Sequence, residues 1–221
     1  MMVAIALVII ISAYSFTSRY NTTAKSAQQP KPSSQVIAQI KTSDTDSLPS
    51  QLGHFPYAEA NTSQLIIIAS YAQNEYQRFE RLAPEAALAL MKLIYAARDD
   101  GVWIVPVSGF RDLASQDKLF KKQIEKRGSV AEAAKLSAPP GYSEHHTGYA
   151  LDLSDGNIPK KDITYELVNT PAFQWLIRRG KDFGFEMSFP ENNPQGVSYE
   201  PWHWRFIGSP AAIKIFKRAK S

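Results

Sequence analysis

The chain has 221 residues, 44% of them hydrophobic, which suffices for one domain of ordinary size with a full core and some accessory sequence. It contains no cysteine, which excludes disulfides, thiolate metal ligands and nucleophilic thiols. The net charge of +4 is mildly basic and concentrates near the C-terminus in Lys214, Lys217, Arg218 and Lys220; with no nucleic-acid motif beside it, this cluster reads as a solvated helix face, and no nucleic-acid partner is expected.

Residues 1–18 open with an almost uninterrupted apolar run from Met1 to Phe16. No Lys or Arg precedes it, the residues around Ser12 to Thr17 make an indifferent cleavage site, and the run falls slightly short of the roughly 20 residues that span a bilayer. The expectation is an uncleaved membrane anchor or a cleaved signal, and either exports the rest of the chain. Residues 19–52 are rich in Ser, Thr, Gln, Lys and Pro and read as a flexible linker. Residues 53–221 are expected to form a single domain.

Within that domain, apolar residues at Ala86, Leu88, Leu90, Met91, Leu93, Ile94 and Ala97 recur with helical spacing between Pro84 and Gly101, predicting a core helix over 83–98. Val102 to Val107 follows as a short strand. Asp112 is placed to cap a helix that runs to Arg127 and stops at Gly128. Around Tyr149, Leu151 and Leu153 the large residues alternate with Gly148, Ala150 and Asp152, which predicts a strand burying one face and leaving space beside Asp152. Thr170-Pro171 opens a helix that ends at Gly184, 185–189 is a weaker strand, and Ser209-Pro210 begins a last helix. The class expected is α+β, with a small antiparallel sheet flanked by helices. The segments 121–137 and 160–169 receive no role.

Three segments carry chemistry. Ser143 to Asp152 holds His145, His146 and Asp152, of which only one imidazole is expected to reach a shared metal. Glu200-Pro201-Trp202-His203 adds a second histidine with a carboxylate three residues before it. In a regular strand Glu200 and His203 would face opposite ways, and Pro201 is expected to interrupt the ladder and bring both to one cavity. Trp202, Trp204 and Phe206 would pack behind. Ser108-Gly109-Phe110-Arg111-Asp112 places an arginine at a strand end, where its forked donors suit an oxyanion or carboxylate. Two histidines and one carboxylate give a catalytic zinc three protein ligands and leave a position for water.

Together these segments resemble the VanY-type D-alanyl-D-alanine carboxypeptidases, zinc peptidases of peptidoglycan. The resemblance rests on Ser143, His145, Gly148, Ala150 and Asp152, on Glu200 to His203, and on Ser108 to Arg111, and it covers roughly 53–208. It implies one Zn²⁺ held by His145, Asp152 and His203, with the zinc site carried by the small sheet of a single catalytic domain. It further implies Glu200 as general base, Arg111 facing the polarised carbonyl, and Gln116 and Ser143 contacting substrate, while His146 is not a ligand. The implied reaction removes a C-terminal D-alanine from peptidoglycan stem peptides, by a monomer at the cell envelope that is anchored in the membrane or secreted. An endopeptidase or D-Ala-D-Ala dipeptidase on the same scaffold, or an inactive peptidoglycan-binding module, are the rival readings.

Overall fold

The structure is a computed structural model that describes residues 45, 47–73, 76–158 and 163–220. Two antiparallel strands, β1 (Ile66–Gln73) and β2 (Tyr76–Leu82), form a hairpin ahead of the helix α1 (Pro84–Asp99). The chain continues through β3 (Ile104–Ser108), α2 (Leu113–Arg127), α3 (Val130–Ala134) and β4 (Ala150–Asp155). It ends with α4 (Pro171–Arg179), β5 (Phe185–Met187), β6 (His203–Phe206) and α5 (Pro210–Ile215). β3 to β6 form one four-stranded sheet in the order β3-β4-β6-β5, antiparallel throughout. The expected α+β class, with a small antiparallel sheet flanked by helices, is borne out.

Local chemistry explains the helix boundaries. Asp112 accepts a hydrogen bond from the Ser115 backbone N–H at 2.6 Å and so starts α2, and Gly128 closes it in the left-handed conformation at φ 81°. Pro171 and Pro210 occupy first-turn positions of α4 and α5, where the missing N–H costs nothing, and the hydroxyls of Thr170 and Ser209 cap those helices.

The sheet has two unlike faces because paired residues project to the same side. Leu151, Leu153, Trp204, Phe206, Phe185 and Ile104 share one side and pack against Leu90, Leu93 and Ala97 of α1 and Ala172, Trp175 and Leu176 of α4. Full burial of a side chain such as Leu90 or Leu153 contributes on the order of 2 kcal/mol, so this layer carries much of the stability. The opposite side presents Asp152, His203, Arg205, Glu186 and Ser108. It is the polar side that builds the site. β4 lies between two partners and all six of its residues are buried, including Asp152 and Ser154.

Several expectations are corrected here. The hairpin β1–β2 was not anticipated. Trp202 does not join Trp204 and Phe206; it packs in a separate cluster with Leu167 and Phe173. β6 starts only at His203, so Trp202 sits in the preceding turn and escapes the strand's alternation. The helix read as running to Phe183 stops at Arg179 and continues as a 3-10 turn over Gly180–Phe183. Packing reaches back to Leu48, buried against Ala138 and Tyr142. Membrane attachment is corrected as well: among the described residues no helix is long and apolar enough to cross a membrane. Residues 1–18, on which the anchor or signal was read, lie outside the described residues, and the membrane is dropped as a partner.

Candidate metal centre

Asp152 is the hub, and the sheet register places its neighbours. It pairs directly with His203 on β6 and with Ser108 on β3. An extra residue at Val107 bulges β3 between Pro106 and Ser108, which turns the strand end and the following loop toward the same side. His145 arrives from a 3-10 turn, Glu144–Thr147, closed by Gly148 at φ 71°. A Cβ on Gly148 would come within 2.9 Å of the Leu65 side chain and 3.3 Å of the Ala83 backbone nitrogen, so only glycine allows both the backbone turn and the close approach. That turn closes the seven-residue gap between His145 and Asp152.

Glu200 reaches the same cavity through a tight turn. The His203 N–H donates to the Glu200 carbonyl at 3.1 Å across Pro201 and Trp202, a spacing in which proline at the second position is favoured. The expected interruption at Pro201 is thus a turn preceding the strand.

The potential ligand atoms of His145, Asp152 and His203 lie within 4.8 Å of one another, and all three residues are buried. His145 Nε2 is 3.5 Å and His203 Nδ1 3.1 Å from the same oxygen, Asp152 Oδ1. The remaining His145 nitrogen, Nδ1, lies 2.6 Å from the Gly109 carbonyl. A carbonyl only accepts, so Nδ1 carries the proton and the Nε2 lone pair faces the cluster. A ring anchored at one nitrogen with the other aimed at a carboxylate matches how histidine is presented to a metal. Two imidazoles and one carboxylate, buried and without thiolate, suit zinc with room for a further ligand.

Electrostatics without an ion show strain among these groups. Burial disfavours the charged form of His203, but hydrogen bonds to Asp152 and Glu144 outweigh it and raise its pKa to about 10. Burial would raise Asp152, yet His145 and His203 hold it well below the usual carboxylate range. Glu200, 8% exposed, is pushed up to about 8, chiefly by burial.

Arg111 is held on both arms of its guanidinium, by Gln116 Oε1 at 2.9 Å and Ser108 Oγ at 3.1 Å. Its backbone is pinned twice: its N–H donates to the His145 carbonyl at 3.1 Å, and its carbonyl accepts from His146 Nδ1 at 2.7 Å. His146 Nε2 in turn accepts the Gly141 N–H at 3.0 Å. Both ring nitrogens of His146 are therefore spent inside the protein. The Gln116 amide donates to Ser137 Oγ and the Ala138 carbonyl, so its polar atoms also serve the scaffold. Arg111, Gln116, Ser143 and Glu200 line one cavity of about 200 Å³ together with the three clustered residues.

Sequence reasoning missed three contributors. Glu144 lies beneath His203 and accepts from it, from Arg205 and from Ser188; burial would raise its carboxyl, but Arg205 and these hydrogen bonds hold it at about 2. Arg205 is shared between Glu144 and Glu186, each at 2.8 Å. Glu80 on β2 accepts the Gly109 N–H at 2.7 Å and so pins the loop that carries Arg111. The one sequence signal that could have found part of this support is the alternation of His203, Trp204, Arg205 and Phe206, which sets His203 and Arg205 on a common face.

The family model described as VanY, D-alanyl-D-alanine carboxypeptidase, matches residues 79–209. A D-alanyl-D-alanine carboxypeptidase of Enterococcus faecalis is 31% identical over 147 residues, which cover 62% of this chain and 52% of that protein. The chain thus spans about half the length of that relative. Among solved structures, the LdcB LD-carboxypeptidase superposes with a TM-score of 0.60 at 28% identity, covering 73% of this chain and 75% of its own. A mutant of the vancomycin-resistance D,D-pentapeptidase VanY, solved with Zn(II), matches with a TM-score of 0.51 at 30% identity, covering 68% of this chain and 84% of its own. With the family model spanning more than half its length and its elements meeting in one cavity, the chain belongs to the VanY D-alanyl-D-alanine carboxypeptidase family.

Proposed function

We propose that this chain is a zinc-dependent carboxypeptidase of the cell envelope that removes a C-terminal D-alanine from peptidoglycan stem peptides. The observation that carries the reading is the convergence of His145, Asp152 and His203 with Glu200 and Arg111 on one buried cavity. His145, Asp152 and His203 would hold the ion, which when bound supplies Lewis acidity to a water and to the scissile carbonyl.

The remaining work belongs to the protein. Glu200 takes the proton from the attacking water and returns it to the departing amino group of D-alanine. Glu200 lines the same cavity as the three ligands, which puts one carboxyl within reach of both the attacking water and the departing amine. Arg111, fixed by Gln116 and Ser108 before substrate arrives, offers preorganised donors to the negative charge that develops on the carbonyl oxygen. Ser143 and Gln116 shape the wall against which the peptide end rests.

The test is digestion of pentapeptide and tetrapeptide stems, read by mass spectrometry, with wild type and Glu200→Gln side by side. Wild type should release the terminal alanine from one of them, and the variant should retain zinc while losing hydrolysis. Near-normal turnover by Glu200→Gln, or no alanine released from either peptide by zinc-loaded wild type, would sink the assignment.

A further inference from the structure

His203 is the one clustered residue whose two ring nitrogens both face carboxylates. Nδ1 lies 3.1 Å from Asp152 Oδ1, and Nε2 lies 3.0 Å from Glu144 Oε2. Which nitrogen offers a lone pair to an ion is therefore decided by whichever carboxylate holds the ring proton. Asp152 is itself a clustered residue and has to turn its oxygen to the ion. Glu144 is not.

We propose that Glu144 is the positioning residue of the metal centre: held as an acceptor by Arg205 and Ser188, it fixes the proton of His203 on Nε2 and so presents Nδ1 to the ion. This rests on reading His145, Asp152 and His203 as the metal site. The surroundings of Glu144 hold it as an acceptor. Oε1 receives Arg205 Nη1 at 2.8 Å, and Oε2 receives the Ser188 hydroxyl at 2.5 Å beside His203 Nε2. Arg205 cannot swing away, because Nε is tied to Glu186 Oε1 at 2.8 Å and its guanidinium lies over the Phe216 ring. Every group around the carboxylate donates. The Tyr57 hydroxyl, 3.5 Å from Oε1, closes the remaining side. The carboxylate is 4% exposed, so water does not compete for it. His145 is treated alike by a different acceptor, the Gly109 carbonyl, which makes its tautomer the mirror of that of His203: Nδ1 protonated in one ring, Nε2 in the other.

Glu144→Gln separates this role from simple packing, since the two side chains have nearly the same shape. Arg205 only donates, so the amide oxygen must turn to it and the amide NH₂ must turn to His203 Nε2. The ring proton then moves to Nδ1, where the ion should sit. Arg205 keeps Glu186 as its counter-charge, which limits the damage to folding.

The experiment measures zinc affinity of the full chain by competition with a chromophoric chelator, together with the ring ¹⁵N spectrum of His203 in the zinc-loaded protein. Expected are a loss of about 10- to 100-fold in zinc affinity for Glu144→Gln, and, in wild type, a protonated Nε2 with zinc on Nδ1. Equal affinity in variant and wild type would overturn the proposal while leaving the metal site standing. So would zinc on Nε2 in wild type, a reading that does not require the variant to fold. If wild type binds no zinc, the metal reading fails and this proposal falls with it.

Discussion

Replacing His146 by glutamine tests a part of the site that no reaction step uses. His146 is fully buried, its Nδ1 donates to the Arg111 carbonyl, and its Nε2 accepts from the Gly141 N–H. The bond at Nε2 requires the neutral ring, because a protonated Nε2 cannot accept, and burial lowers the pKa of His146 from 6.5 to about 4. The unfolded chain therefore binds more protons than the folded one between those values, so this group's contribution is complete above pH 6.5 and is lost as pH falls toward 4. At pH 5 the two values give a penalty of about 2 kcal/mol relative to pH 7.5, or roughly a 1 M shift in a urea midpoint. Glutamine supplies one donor and one acceptor without titrating. The assay is urea denaturation of both proteins in chelator at pH 7.5 and pH 5, so that metal release does not enter. The variant should lose about 2 kcal/mol less than wild type over that interval. Equal losses would refute the account of His146 as a neutral clamp.

Zinc uptake at pH 7.5 should release protons, because His203 without an ion keeps its proton up to about pH 10 and must surrender the one on Nδ1. Calorimetric titration in two buffers of different protonation enthalpy should give different heats, and identical heats would contradict the assignment of His203. Gly109→Ala should weaken both folding and the site, since its Cβ would meet the Arg81 carbonyl oxygen at 2.5 Å and displace the carbonyl that holds His145. We expect a destabilisation of about 1–3 kcal/mol, measured as a drop in melting temperature in chelator. Zinc affinity should fall by about tenfold or more in the same competition assay.

The helix termini and the pairing of small with large residues around Asp152 were legible because they follow from local rules. Asp112, Gly128, Thr170-Pro171 and Ser209-Pro210 act on their own turns, and no distant contact is needed to read them. The hairpin was hidden for the opposite reason. Of the β2 residues only Glu80 and Leu82 are buried, so no alternating apolar pattern marks the strand. Its value lies in long-range contacts, from Glu80 to Gly109 and from the Arg81 carbonyl to the Phe110 N–H, which no local signal announces. Glu144 escaped notice likewise, since Ser188, His203 and Arg205 lie 44 and more residues away, just after β5 and on β6.

The candidates His145, Asp152, Glu200 and His203 were thus nameable from the sequence, with His145 chosen over His146 by the family resemblance, because the donor types that zinc chemistry needs stand in short motifs. Their meeting was not. Asp152 faces His203 because β4 and β6 pair in one register, and a slip of one residue would turn Asp152 and its neighbours to the apolar face. The tertiary structure alone decided which nitrogen of each histidine is free, since that depends on the Gly109 carbonyl and the Glu144 carboxylate. Residue types set what chemistry the chain can perform, and strand register with buried acceptors set which atoms perform it.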